Sequence, residues 1–235
     1  MSFKLPSSGD VIEARGLKVA EQNLLVSGRK NGKRDGSAIN EVLSSCILTP
    51  GYDSNELLIG DRVALLIHLR ALTYGPKFQF RTQCPKCGSG FYWEEDIGEL
   101  PVTYLDPPLA LGETRLYERT LPSSGKAYKF RLLRGKDERL MNKVLDGGSD
   151  DYFATMARLI VAEVEGERVL SAQWFNDLPA ADLDYILAEW RAADCGVDTS
   201  LAIECPKCGW EFENELPITD GGFFMPRTMS SRRSG

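Results

Sequence analysis

Apolar positions recur at helical spacing in three segments of the first half of the chain and, in the same order, in three segments of the second half. The first segments cover 17–25 and 135–145, and the second ones cover 38–48 and 152–164. The third segments, 55–75 and 176–196, show the clearest pattern. Their buried stripes are predicted to consist of Leu58, Leu65, Leu66 and Leu69, and of Leu183, Ile186, Leu187 and Trp190.

Residues at the ends of the third segments predict where those helices begin and end. Asn55 and Asn176 stand where a side-chain oxygen could cap free amide groups. Gly75 and Gly196 stand where a left-handed residue could end each helix. Strand-like composition precedes the helices at 11–15 and 128–133 and flanks a Cys-Pro-Lys-Cys-Gly sequence in each half. Each half therefore predicts a strand, three helices and a hairpin whose turn carries two thiols.

Two pentapeptides occur twice in the same order, LPSSG at 5–9 and 121–125 and CPKCG at 84–88 and 205–209. The flanking residues align as well, so the sequence predicts an internally duplicated, helix-rich α+β module. The predicted units are a first module at 1–104, a linker at 105–120, a second module at 121–220 and an extended arm at 221–235.

The cysteines of the CPKCG sequences predict a metal site. A Cys-x-x-Cys turn aims two sulfurs at one point, and a structural zinc takes four ligands in a tetrahedron. We therefore expect the hairpin knuckles of both modules to join in one zinc-ribbon-like site with zinc, or alternatively iron, as its ion. Two reduced thiol pairs or redox-active turns are the competing interpretation. The predicted ligands are Cys84, Cys87, Cys205 and Cys208.

Composition narrows the function classes. The 235 residues carry a net charge of −6, which disfavours binding to a phosphate backbone. No stretch has the roughly 18 apolar residues that a membrane span requires. The beginning of the sequence has no export signal, which predicts folding in a cytoplasm. Since neither a nucleophile motif nor a cofactor fingerprint is present, we expect no enzyme.

The last residues differ from the acidic body of the chain. Aromatic and apolar side chains there are followed by arginines, a composition that is unusual for a disordered tail. This predicts an arm that docks into a neighbouring subunit, with a frayed terminus as the alternative. The predicted partner contacts are Phe223, Phe224, Met225 and Arg227.

Several of these features together resemble a known family. The LPSSG opening, Asp61, the Leu69-Arg70 pair, the Thr73-Tyr74-Gly75 helix end and the CPKCG at Cys84 are similar to T-even-type phage baseplate hub proteins. The resemblance is strongest over the first module; in the second module RAADCG replaces RALTYG.

The resemblance implies a non-enzymatic structural part of a contractile phage tail, located in the virion and assembled in the host cytoplasm. Its implied partners are other baseplate hub and tail proteins, including the tape-measure protein, in several copies around a threefold hub. A hub-assembly chaperone that is absent from the finished virion is one alternative. A zinc-ribbon nucleic-acid-binding protein is another, although Glu94, Glu95 and Asp96 beside the first hairpin's aromatic residues oppose it.

Overall fold

The computed structural model describes residues 1–30, 37–146, 152–168, 171–218 and 222–224. Its first half (residues 1–104) contains β1 (Ser2–Lys4), β2 (Val11–Glu13), α1 (Val19–Lys30), α2 (Ser37–Cys46), α3 (Ile59–Tyr74), β3 (Lys77–Gln83), β4 (Gly90–Asp96) and β5 (Val102–Thr103). Its second half (residues 105–224) contains β6 (Tyr117–Thr120), β7 (Ala127–Phe130), α4 (Gly135–Asp146), α5 (Tyr152–Ile160), β8 (Val161–Val164), α6 (Ala172–Asn176), α7 (Ala180–Ala193), β9 (Gly196–Val197), β10 (Ser200–Glu204) and β11 (Glu211–Glu215).

In the described part of the chain, all strand pairs are antiparallel. Strands β1–β2, β3–β4 and β10–β11 form two-stranded hairpins, and β6–β7–β8 form a three-stranded sheet. The short pair β5–β9 joins the first half to the second, with Val102 opposite Val197. A further bridge between Leu58 and Arg134 joins the halves in front of α3. The fold is therefore α+β, as the sequence predicts.

The LPSSG turn has the same geometry in both halves. Its leucine, Leu5 or Leu121, is buried, and its carbonyl accepts a hydrogen bond from the glycine four residues later at 2.9 and 3.0 Å. A serine amide in each turn then donates to a buried aspartate on the third helix. Ser7 N donates to Asp61 Oδ1 at 2.8 Å, and Ser123 N donates to Asp182 Oδ1 at 2.7 Å. This clamp fixes the N-terminal hairpin of each half to its third helix.

A second clamp also recurs, and it orders the start of the first helix. The Arg15 guanidinium contacts Glu21 at 2.9 Å, and Arg131 contacts Asp137 at 2.8 Å. The same carboxylates accept the backbone amides at the helix start: Lys18 N donates to Glu21 and Arg134 N donates to Asp137. A carboxylate at this position also interacts favourably with the helix dipole.

The hydrophobic cores of the two halves are unequal. The core around α3 contains side chains from both cysteine hairpins, Phe78 and Phe80 of β3 and Leu201 and Ile203 of β10. The core of the second half is built from β7, β8, α5, α6 and α7, and among the described residues it contains no side chain of a cysteine hairpin. The second cysteine hairpin, β10–β11, therefore packs on the core of the first half and not on the core of its own half.

The predicted helix starts are wrong in both halves. Leu58 precedes α3, and the Asn55 side chain instead accepts a hydrogen bond from Asn40. The reason is the bridge to the second half, in which Gly135 N donates to Leu57 O and Ile59 N to Leu133 O, so the chain is extended there. In the second half, the unpredicted helix α6 ends at Asn176 and α7 begins only after Pro179.

One of the two predicted helix ends is confirmed. Gly75 ends α3 with φ +87°, and its amide donates to Ala71 O. Gly196, however, lies in β9, while α7 already ends at Ala193. There Gly196 contacts the backbone of Gly60, an approach that a side chain on either residue would block. Gly196 is thus required by packing between the halves and not by a helix end.

The hydrophobic pattern predicts too long a helix for α5, and it misses a strand just before the second LPSSG sequence. The helix ends at Ile160, and Val161 and Val164 continue as β8 beside β7. β-branched residues suit a strand that packs one face on a core. The segment predicted as a linker at 105–120 contains β6, which pairs with β7. No helix in the described part of the chain is both long enough and apolar enough to cross a membrane.

Candidate metal centre

The four predicted cysteines lie together at the tips of the two hairpins. Their sulfurs are all within 4.8 Å of one another. Cys84 Sγ lies 3.7 Å from Cys208 Sγ, and Cys87 Sγ lies 3.8 Å from Cys205 Sγ. In a tetrahedral site with Zn–S bonds near 2.3 Å, neighbouring sulfurs are ~3.8 Å apart. The donor set and its spacing therefore fit a structural metal held by thiolates.

Each CPKCG turn is closed by the same two backbone hydrogen bonds. Cys84 N donates to Ser89 O and Gly88 N to Cys84 O, both at 3.0 Å. The second turn repeats the pair, with Cys205 N donating to Trp210 O at 3.0 Å and Gly209 N to Cys205 O at 2.9 Å. The two glycines have φ of +69° and +64°, a region that other residues adopt only with strain. The turn thus needs glycine at its fifth position.

The CPKCG and LPSSG turns share this hydrogen-bond pattern, and both aim amides at an anion. In LPSSG, the amides of Ser123 and Ser124 donate to the Asp182 carboxylate at 2.7 and 3.1 Å. In CPKCG, the backbone amides of Lys207 and Cys208 favour the thiolate of Cys205 and lower the pKa of that thiol. The same turn therefore stabilises a carboxylate in one place and a thiolate in the other.

Electrostatics in the cluster favour one thiolate and oppose another. Burial raises the pKa of Cys205, but the amides of Lys207 and Cys208 and the thiols of Cys208 and Cys84 together outweigh it and lower that pKa to about 7. The amide of Trp210 favours the thiolate of Cys208, but burial and the neighbouring sulfurs outweigh it and raise that pKa to about 12. Four thiolates repel one another without a cation, so metal binding would displace protons from the cluster.

The two hairpins also touch outside the cysteines. The Phe91 and Phe212 rings meet edge to face at 6.5 Å, and Asn214 donates to Thr82 Oγ1 at 3.2 Å. Lys86 lies over the Trp210 ring at 4.3 Å. One cysteine of each turn is buried, and the other is exposed. The cluster therefore lies at the rim of a packed pair of hairpins, where an ion could enter from solvent.

Comparison with known proteins gives the family. The sequence matches the family model described as T4 bacteriophage base plate protein over residues 1–108 and 114–226. The chain belongs to this family. Membership makes it a phage baseplate component, with other baseplate and tail proteins as partners and a structural role, and it implies a location in the virion tail. Neither the comparison with curated proteins nor that with solved structures gave a significant match.

The predicted partner contacts in the arm have a different environment from the one expected. Phe223 and Phe224 pack into this chain's own core, where the Phe223 ring meets Phe78 edge-on at 5.0 Å. Tyr74 Oη also donates to Phe224 O at 3.0 Å. Both rings are apolar, so they are buried in the core around α3. The hydrophobic pattern of the sequence could not show that this core lies beside them in the fold. Met225 and Arg227 lie outside the described residues.

The sequence interpretation missed the buried polar groups that organise the two halves. Asp61 and Asp182 align in the repeat, and that alignment could have identified them as the partners of LPSSG. Arg62 was not identified, although it is 2% exposed and contacts Glu138 of the second half at 2.5 Å. A buried arginine within an amphipathic helix has no distinguishing pattern, because its partners come from distant parts of the chain.

Proposed function

We propose that this protein is a structural subunit of the baseplate hub of a contractile tail, in which one metal joins two copies of a module. The observation that carries this proposal is the cysteine cluster, because each half contributes two of its four sulfurs. A site built in this way has a stabilising role and leaves no open coordination position for catalysis.

Repeated local geometry supports the origin of the two modules from a duplication. The LPSSG turn, its aspartate clamp and the CPKCG turn each occur once in each half with matching hydrogen bonds. The two ranges that match the family are separated by residues 109–113, within the predicted linker. The modules of this proposal are residues 1–104 and 121–220, with 221–235 as an arm.

Zinc is the proposed ion, because four thiolates in a tetrahedron suit its coordination. Iron, which the same geometry also suits, is the alternative. Structural zinc sites contribute roughly 10–16 kcal/mol of apparent binding free energy, which is also folding free energy. A whole domain is typically stable by only about 5–15 kcal/mol. Under this proposal, the metal holds the second hairpin on the first half and thereby fixes the surface that a partner meets.

The proposed partners are other hub and tail proteins, including the tape-measure protein, around a threefold hub assembled in the host cytoplasm. The residues after Phe224 are the proposed contact with a neighbouring subunit. A nucleic-acid partner is opposed by charge: the solvent face of the second hairpin exposes Glu204, Glu211, Glu213 and Glu215. Such a face repels a phosphate backbone.

Quantitative mass spectrometry of purified virions tests this function. We expect peptides from this chain in the virion at a fixed ratio to other baseplate proteins, three copies per tail for a threefold hub. Detection in infected cells without any peptide in the virion would overturn the structural role and support an assembly chaperone. A salt-sensitive shift of DNA at physiological ionic strength would instead support nucleic-acid binding.

A further inference from the structure

A cavity of about 430 Å³ opens in the second half and is lined by residues of α4, α5 and β8. Three arginines line it, although the protein as a whole has a net charge of −6. A locally positive cavity on an acidic protein is a candidate site for an anion.

One of the three arginines is already neutralised within the fold. Arg131 forms two parallel hydrogen bonds to Asp137, at 2.8 and 2.9 Å, as part of the helix-start clamp. Among the residues that the structure describes, the only other carboxylate in the lining is Glu163, which pairs with Lys129 at 3.0 Å. These two pairs therefore contribute little net charge to the cavity.

The other two arginines, Arg158 and Arg168, are exposed and have no hydrogen-bond or ion-pair partner in the described part of the chain. A guanidinium presents a planar fork of donors that matches a carboxylate or phosphate with two hydrogen bonds. Among the described residues of the lining, two such groups supply an excess positive charge of two. The cavity is therefore suited to bind an oxyanion.

The module fold does not require an arginine at position 158. Arg131 N donates to Ile160 O as Arg15 N donates to Cys46 O, so Ile160 corresponds to Cys46 and Arg158 corresponds to Ser44. Both Ser44 and Arg158 are exposed. The arginine is therefore a feature of the second half alone.

The remaining lining distinguishes a peptide from a phosphate. Leu140, Leu159 and Val161 give the cavity an apolar wall, and Leu140 is 48% exposed. An apolar wall beside a pair of arginines suits a ligand with one carboxylate and an aliphatic side chain.

We propose that this cavity binds an acidic and aliphatic peptide segment of a partner protein, with its carboxylate between Arg158 and Arg168 and its apolar side chain on Leu140, Leu159 and Val161. The biological partner rests on the proposed function, because a baseplate component meets other proteins. Binding itself does not depend on that function, so it can be tested separately from presence in the virion.

Isothermal titration calorimetry of the full-length protein with acetyl-Leu-Glu-Leu-amide, which carries one carboxylate between aliphatic side chains, tests the site. We expect saturable binding, and about 10- to 100-fold weaker binding after the joint replacement of Arg158→Gln and Arg168→Gln, because charge-assisted hydrogen bonds are lost. Arg191→Gln is the matched control, since it removes an exposed arginine of α7 that does not line the cavity. The glutamine version of the peptide should bind at least about tenfold more weakly.

Three outcomes would overturn the proposal. One is the absence of peptide binding at millimolar concentration, and another is unchanged binding by the double variant. The third is inorganic phosphate that competes with the same affinity as the peptide, because the cavity would then be a general anion site. If the double variant fails to fold, Arg158→Lys serves instead: it keeps the charge, loses the planar fork and is expected to bind several-fold more weakly.

Discussion

The third helices of the two halves begin from similar patterns but have different surroundings. Nine residues of α3 are buried, including Arg62 and Arg70, whereas only Asp182 and Ile186 are buried in α7. Both cysteine hairpins pack on the core around α3, and β9 also lies against α3. The two halves therefore share the same turns and clamps, although the third helix of the first half is the platform for both cysteine hairpins and that of the second half lies at the edge.

The largest effect is expected from the cysteines, which bring the second hairpin to the first half. The double change Cys205→Ser and Cys208→Ser should reduce the metal content from about one ion per chain to none. It should lower the melting temperature by at least about 10 °C, because metal binding free energy is also folding free energy. Elemental analysis and a thermal melt measure both quantities. Cys46→Ala, which removes a buried thiol outside the cluster, should keep the ion.

The next largest loss of stability is expected where α3 closely contacts β9. A Cβ on Gly60 would lie 1.7 Å from Cys195 O, so Gly60→Ala should destabilise the protein by about 3 kcal/mol or more in urea unfolding. Ala181 occupies the equivalent position of α7 and is exposed. Ala181→Gly should cost only about 1 kcal/mol, through helix propensity. Equal costs at the two positions would contradict the difference between the helices.

The aspartate clamps should respond differently to neutralisation. At Asp182 burial opposes ionisation, but donation from Ser123 and Ser124 outweighs it and lowers the pKa. At Asp61 burial dominates over donation from Ser7 and raises the pKa. Asp182→Asn should therefore cost about 1–3 kcal/mol at pH 7, and Asp61→Asn clearly less.

The pH dependence of these variants follows from the same shifts. A lowered pKa stabilises the folded state above the unfolded value near ~4 and loses that contribution as pH falls through the folded pKa. The cost of Asp182→Asn should therefore diminish below about pH 4. Chemical unfolding at pH 7 and pH 3 measures it, and a cost that is constant with pH would refute this account of the clamp.

The smallest change in stability is expected from Asp194, which lies between α7 and β9. Burial and the charge of Asp61 raise the pKa of Asp194 to about 6. An acid with a raised pKa binds its proton more tightly in the folded state, so stability falls as pH rises from about 4 to 6. Asp194→Asn should add about 1 kcal/mol at pH 8 and nothing near pH 4. Greater stability of wild type than of the variant at pH 8 would contradict this.

Local features of the fold were predictable from the sequence because they depend on neighbouring residues. The hairpins around CPKCG, the glycine that ends α3 and the grouping of the cysteines follow from turn chemistry and from the repeat. The start of α3 and the role of Gly196 did not follow, because contacts between the halves determine both. The placement of Phe223 was equally inaccessible, since its neighbour Phe78 lies 145 residues earlier in the chain.

The position of the cysteine cluster has a mechanical consequence. A metal held by both turns closes residues 88–204 into a loop, so tension applied between the chain ends would pass through the metal–sulfur bonds. The α-helices and strands inside that loop would carry no load until the cluster ruptured. Rupture would then release a contour length of roughly 400 Å at about 3.4 Å per residue. Under the proposed function, such a closed loop would shield most of the second half from the pulling force of a contracting tail.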